Sequence, residues 1–202
     1  MAEQETHADI RHAVRRLCAE FPGEYWRKLD RERAYPTEFV KALTERGWLS
    51  VLIPEAYGGA GLGVSAACAI LEEIHRSGCN GAACHAQMYT MGTLLRHGSD
   101  AQKEKWLPKI AAGEIRLQAF GVTEPTSGTD TTRIQTFAKR QGDKYVVNGS
   151  KIWISRAAKA DWSIVMAQGA VSARVRKRAS LSRSRSAARR RSMAAATCWE
   201  TK

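Results

Sequence analysis

Apolar residues in the first part of the chain recur at helical spacing. Ile10, Ala13, Val14, Leu17 and Cys18 stand at i, i+3, i+4, i+7 and i+8, one face of an amphipathic helix that Pro22-Gly23 stops. A second run is opened by Pro36-Thr37-Glu38, carries Phe39, Val40, Ala42 and Leu43 at helical spacing, and ends at Gly47. A short apolar segment, 49–54, and a glycine-rich turn, YGGAGLG at 57–63, precede three more predicted helices at about 64–75, 81–97 and 100–112. The last opens with Ser99 and has Gln102 three residues on, the spacing of a capping box.

Near residue 117 the period changes. Ile134, Thr136 and Ala138 alternate with Gln135, Phe137 and Lys139, as side chains on a strand do. Tyr145-Val146-Val147 and the run 151–154 flank Asn148-Gly149, a pair that predicts a hairpin between them. With Trp162–Ala167 as a further strand, residues 118–168 read as a small antiparallel β unit behind an all-helical one.

Charge alters this picture only at one end. The net charge of +12 suggests a nucleic-acid partner until it is located: residues 170–202 hold ten of the 32 Lys and Arg and one of the 20 acidic residues. The rest is close to neutral, with 22 basic against 19 acidic side chains. The segment 170–202 is dense in Arg and Ser and poor in large apolar residues, so disorder is expected there. Binding of RNA or DNA by counterion release is the alternative reading of that segment, disfavoured because Trp199 is its one aromatic residue. Five cysteines (Cys18, Cys68, Cys79, Cys84, Cys198) form no CxxC pair and no metal-ligand spacing with histidine, so free thiols and no metal are expected. No stretch approaches the roughly 20 apolar residues of a membrane span, and the first residues are charged, which gives a cytoplasmic expectation.

Candidate chemistry concentrates in QAFGVTEPTSGTD at 118–130 and NGSKIWIS at 148–155. Phe120 to Thr123 reads as a strand end leading into a loop where Ser127, Gly128, Thr129 and Thr131 offer hydroxyls and backbone N–H groups, a neutral donor set suited to phosphate oxygens. Trp153 offers a flat apolar face, and Ser155, two residues on, would place a hydroxyl on the same strand face. Alone, such a loop is usually a capped turn and a strand tryptophan is usually core; together they suit a flavin. His75, His85 and His97 lie on predicted helices without a convergent partner. The glycines at 58, 59, 61 and 63 lack the leading strand and the Lys-Ser/Thr of a phosphate loop, and read as a tight turn packed against the flavin domain.

These two motifs resemble the T-E-P-x-(A/S)-G-(S/T)-D loop and G-x-K-x-(W/Y)-I-(T/S) strand of the acyl-CoA dehydrogenase family. The likeness includes YPTEFVKALTERGWLSVLIPEAYGGAGLG at 35–63 and LLRHGSDAQKEKWLPKIAAGE at 94–114, and covers about residues 10–168. It implies an α+β fold: an all-helical amino-terminal domain over 1–117, a partial antiparallel β-barrel domain over 118–169, and a disordered basic tail over 170–202. It implies FAD, with Phe120, Val122 and Thr123 lining the flavin and Thr129 facing the pyrophosphate. Trp153 and Ser155 would lie along the ring, Ser155 near N5, with Ile154 contributing its backbone; Ser127 and Thr129 would lie near acyl-CoA phosphates. Phe120, often a hydroxylated aromatic in the family, and Ser155, as often Thr, are modest departures.

The activity so implied is α,β-dehydrogenation of an acyl-CoA thioester, with hydride passing to flavin N5, electrons to an electron-transfer flavoprotein, and a homotetramer or homodimer as the assembly. The family's base is a Glu in a carboxy-terminal helical domain that this sequence does not include. No catalytic residue is therefore assigned, Glu124 falling where the family has a structural Glu before Pro. The likeness is expected to end near Gln168, with truncation and a frameshift-derived tail. A catalytically inactive remnant is the alternative to an active enzyme.

Overall fold

The helical spacings and the period-2 alternation separate in space as they do along the chain. A computed structural model describes residues 7–142, 144–169, 174–176 and 193–194, which fall into two units, one up to Glu114 and one from Ile115.

The first unit is helical: α1 (Ala8–Ala19), α2 (Gly23–Glu32), α3 (Thr37–Glu45), α4 (Val64–Arg76), α5 (Ala82–His97) and α6 (Asp100–Ala111). Helix α1 buries Val14, Leu17 and Cys18, the stripe its spacing marks out. They join Phe39, Val40 and Leu43 of α3 and Ile70 and Ile74 of α4 in one apolar cluster. Glu73, 1% exposed on α4, accepts hydrogen bonds from Arg11 at 3.0 Å and Arg15 at 2.5 Å on α1. The bond from Arg15 does most to hold its carboxyl below the usual range, against the burial that would raise it. Helix α6 carries both halves of the capping box, Ser99 accepting from the Gln102 N–H and Gln102 accepting from the Ser99 N–H.

Helix α2 is not among the predicted elements, although its half-buried residues Tyr25, Trp26 and Leu29 stand at helical spacing; it buries no residue completely, and its stripe is aromatic rather than aliphatic. Aromatic edges hold it instead. Phe21, Tyr25, Trp26 and Phe39 meet edge to face with centroids 5.0 to 5.1 Å apart, and Trp26 Nε1 donates to the Phe21 carbonyl at 3.0 Å. The glycine-rich turn folds back on its own unit: Gly61 N–H reaches the Ile53 carbonyl at 2.8 Å, and Gly59 presses so close to Ile53 that a Cβ would overlap it.

The second unit contains β1 (Leu117–Gly121), β2 (Phe137–Gln141), β3 (Lys144–Asn148), β4 (Ser150–Lys151), β5 (Trp162–Val165), β6 (Arg174–Arg176) and β7 (Met193–Ala194). They form a β1-β5-β6 sheet and two pairs, β2-β3 and β4-β7, and none of these sheets closes into a barrel. The expected antiparallel arrangement holds in part: β5 is antiparallel to β6, but β1 and β5 are parallel. The long excursion between β1 and β5, which contains β2 to β4, supplies the crossover that a parallel pair requires.

The predicted hairpin is also corrected. Asn148-Gly149 does not turn β3 back onto β4; β3 pairs with β2, from Phe137↔Asn148 to Gln141↔Lys144, and Gly142 at φ 64° lies in that turn. Gly149 is needed for close approach, since a Cβ there would overlap Thr136. Ile134, Thr136 and Ala138 are buried, as their alternation predicts. The disorder expected of residues 170–202 lies outside the described residues, except at 174–176 and 193–194, which pair as β6 and β7.

Candidate functional site

Strand β1 buries Leu117, Gln118 and Ala119, leaves Phe120 half-buried, and delivers the chain to Val122 and Thr123, also half-buried. Glu124 follows at 4% exposure. It exchanges backbone hydrogen bonds with Ser127, Glu124 N–H to Ser127 O at 2.9 Å and Ser127 N–H to Glu124 O at 3.2 Å, closing a turn over Pro125-Thr126. The Ser127 side chain is spent within the loop, its hydroxyl donating to the Asp130 carbonyl at 2.5 Å. Gly128 and Thr129 remain exposed at the loop's rim.

The 148–155 segment is fastened to this loop by one lysine. Lys151 Nζ donates to the Val122 carbonyl at 2.9 Å and to the Glu124 carboxylate at 2.8 Å, while Ile152 N–H donates to the Thr123 carbonyl at 2.9 Å. Three consecutive residues of one motif are thus tied to two of the other. Glu124 also accepts from Gln135 N–H at 2.5 Å, Thr136 N–H at 2.8 Å and the Thr136 hydroxyl. Burial would raise its pKa, but hydrogen bonds from Lys151, Thr136 and Gln135 outweigh it and hold the carboxyl at about 2. A buried ion pair satisfied this fully leaves no net charge under the site.

Beyond Lys151 the chain leaves strand geometry. Trp153 has a left-handed backbone, φ 60°, and is 83% exposed; Arg156 is left-handed too, at φ 59°. The expectation that Trp153 and Ser155 share a strand face is therefore corrected, since alternation stops at Lys151 and Ser155 lies in a turn. Both side chains are exposed, and Ile154 is half-buried. A tryptophan costs free energy in this backbone region and gains little from packing at this exposure, a combination that clusters at functional sites.

The structure brings Val122 and Thr123 beside Ile152 and, one residue on, Trp153; Thr129 and Ser155 present exposed hydroxyls on the two joined segments. Lys151 is missing from the predicted site residues. It stands in the NGSKIWIS motif, but its partner is 27 residues away in sequence, beyond the reach of local periodicity. An exposed indole beside neutral hydroxyls and amides fits a planar ring bearing a diphosphate, so the residues present fit FAD. Among the described residues Glu73 and Glu124 are the buried carboxylates, and each is saturated by donors, so neither is a free base. No group of His, Cys, Asp and Glu among the described residues could hold a metal ion, and no described helix is long and apolar enough to cross a membrane.

A helical unit followed by open β sheets, with two sequence motifs pinned together in the second, defines a class, and comparison with known proteins supplies the family. Residues 4–114 match the acyl-CoA dehydrogenase N-terminal domain and residues 119–183 the acyl-CoA dehydrogenase middle domain. The chain belongs to the acyl-CoA dehydrogenase family, whose members are FAD-dependent flavoprotein oxidoreductases. The middle-domain match runs past Gln168, where the likeness was expected to stop, to residue 183.

The chain is 37% identical over 159 residues to glutaryl-CoA dehydrogenase of Desulfococcus multivorans, covering 76% of this chain and 39% of that protein. It is 34% identical over 169 residues to the mitochondrial isovaleryl-CoA dehydrogenase of Pongo abelii, covering 81% of this chain and 40% of that one. The solved structure of a glutaryl-coenzyme A dehydrogenase with glutaryl-CoA superposes with a TM-score of 0.73 at 34% identity, over 83% of this chain and 44% of that chain. The chain spans about two-fifths of the length of the curated relatives it matches.

Proposed function

We propose that residues 120–155 are the flavin and thioester contact region of an acyl-CoA dehydrogenase that introduces a trans double bond between the α and β carbons of an acyl-CoA. The observation that carries this reading is the double reach of Lys151, to the Val122 carbonyl and the Glu124 carboxylate, which joins the two motifs implicated in flavin contact. In this reading Phe120, Val122 and Thr123 line the flavin, the Thr123 hydroxyl bonding its polar edge. Trp153 covers the ring and excludes water, Ile154 adds its backbone, and Ser155 lies near N5. Thr129 faces the pyrophosphate and the acyl-CoA phosphates, while Ser127, buried with its hydroxyl donated to the Asp130 carbonyl, shapes the loop instead of meeting them. FAD, when bound, accepts the hydride that leaves the β carbon. Reoxidation calls for a one-electron acceptor, for which an electron-transfer flavoprotein is the proposed partner, and a homodimer or homotetramer the proposed assembly.

Removal of the α-proton requires a carboxylate in a dry pocket with a pKa near the working pH. Glu124, held at about 2 by four donor groups, is far too weak a base, and Glu73 is committed to arginines. We assign the base to neither. The test is to load the protein with FAD and add acyl-CoA thioesters without oxygen. A shift of the flavin spectrum without bleaching supports thioester contact with the base supplied elsewhere. Bleaching that Glu124→Gln abolishes would overturn the exclusion of Glu124 as the base, and no response to any thioester would refute thioester contact.

A further inference from the structure

We propose that Cys18 and Cys79 form an oxidisable thiol pair that a peroxide closes to a disulfide, stapling α1 to the turn between α4 and α5. The two residues are 61 apart in sequence and meet in the helical unit, where both are buried free cysteines. The Cys79 thiol donates to the Cys18 carbonyl at 3.8 Å and lies 3.9 Å from the Phe21 carbonyl, which places its sulfur against the end of α1. Cys79 is also part of the wall of an open cavity of about 730 Å³ between α2 and the α4–α5 turn, with Trp26, Arg33 and His75 among the other lining residues. An oxidant the size of hydrogen peroxide therefore has a route to a cysteine that is otherwise covered.

The chemistry of the pair is asymmetric. Hydrogen bonding with Cys18 does most to bring the Cys79 thiol down to about 7, against its burial, while the same contact and burial push Cys18 up. Cys79 is thus the more acidic of the two, and its thiolate form is the nucleophile. Its sulfur attacks one oxygen of hydrogen peroxide, the O–O bond breaks, and with one proton the other oxygen leaves as water, giving the Cys79 sulfenic acid. The Cys18 sulfur then attacks the sulfenic sulfur; its proton and the departing hydroxyl leave as a second water. Two thiols are oxidised and one peroxide is reduced. Cys84 is the built-in comparison: buried at the start of α5 with its sulfur against Met88, it is pushed up to about 12 by burial and stays a thiol.

This proposal does not rest on the flavin reading. Its test uses the full chain carrying Cys68→Ser and Cys198→Ser, which removes the two cysteines outside the helical core pair and Cys84. The reduced protein is treated with hydrogen peroxide, alkylated, cut with trypsin and read by mass spectrometry. The expected product joins residues 17–27 to residues 77–96, with fragmentation placing the link at Cys79 rather than Cys84. Under denaturing urea the link should become a mixture of Cys79 and Cys84. With Cys18→Ser, dimedone should trap a sulfenic acid at Cys79. The proposal is overturned if Cys18 and Cys79 both remain fully alkylated after native treatment, if the link goes to Cys84, or if native and urea-treated samples give the same mixture.

Discussion

Glu124 and Lys151 show how two side chains set the geometry of a site without belonging to its surface. Their pair is almost wholly buried, at 3% and 10% side-chain exposure, so removing one partner leaves the other charge stranded. Lys151→Met should destabilise the second unit by about 3 kcal/mol, and adding Glu124→Gln should recover part of that loss, as read by chemical denaturation. The pH dependence has a definite sign. Glu124 is depressed from the ordinary carboxyl value of 4.5 to about 2, so its stabilisation, about 3 kcal/mol, is complete above 4.5 and is lost as pH falls toward 2. Glu124→Gln should flatten the acid limb of the denaturation midpoint over that window; an unchanged limb would mean the carboxylate is not held as described. Trp153 gives the opposite signature, because its backbone is strained and its side chain is 83% exposed. Trp153→Gly should leave the thermal midpoint unchanged or raise it, by about 1 kcal/mol of stability, while weakening any ligand that covers the indole.

At the scale of elements, five of the six described α-helices are legible in the sequence, because each carries an aliphatic stripe or a stop signal at helical period. The sixth, α2, carries Tyr25, Trp26 and Leu29 at helical spacing but no fully buried aliphatic residue, and is held by the edges of Tyr25 and Trp26 against Phe21 and Phe39. The hairpin error has a different root. Asn148-Gly149 satisfies the local rule for a turn, but Gly149 is there because Thr136 lies against it, a tertiary demand that no window around residue 149 contains. Gly149→Ala should accordingly lower the stability of the β2-β3 unit by more than the few tenths of a kcal/mol expected if it were a free turn glycine, and hydrogen exchange at Val146 and Val147 would report it. Ser99→Ala, which removes the α6 cap, should cost about 1 kcal/mol.

Across the whole chain, what the sequence revealed of function was the identity of its motifs, and what it concealed was how they are joined. Thr123 and Trp153 stand in TEP and KIW, and so does Lys151; what the motifs do not show is which groups Lys151 holds, since its contacts reach back 27 and 29 residues. The excess positive charge, in contrast, sits in residues 170–202 and says little about the site. The central claim is that the pinned loop and the exposed indole form one face for FAD. Equilibrium dialysis of FAD against the folded chain, with Trp153→Ala as its pair, tests it most directly. Saturable binding, weakened about tenfold or more by the substitution, is the predicted result. Binding that Trp153→Ala leaves unchanged, or no binding by a chain whose circular dichroism shows it folded, would contradict the account.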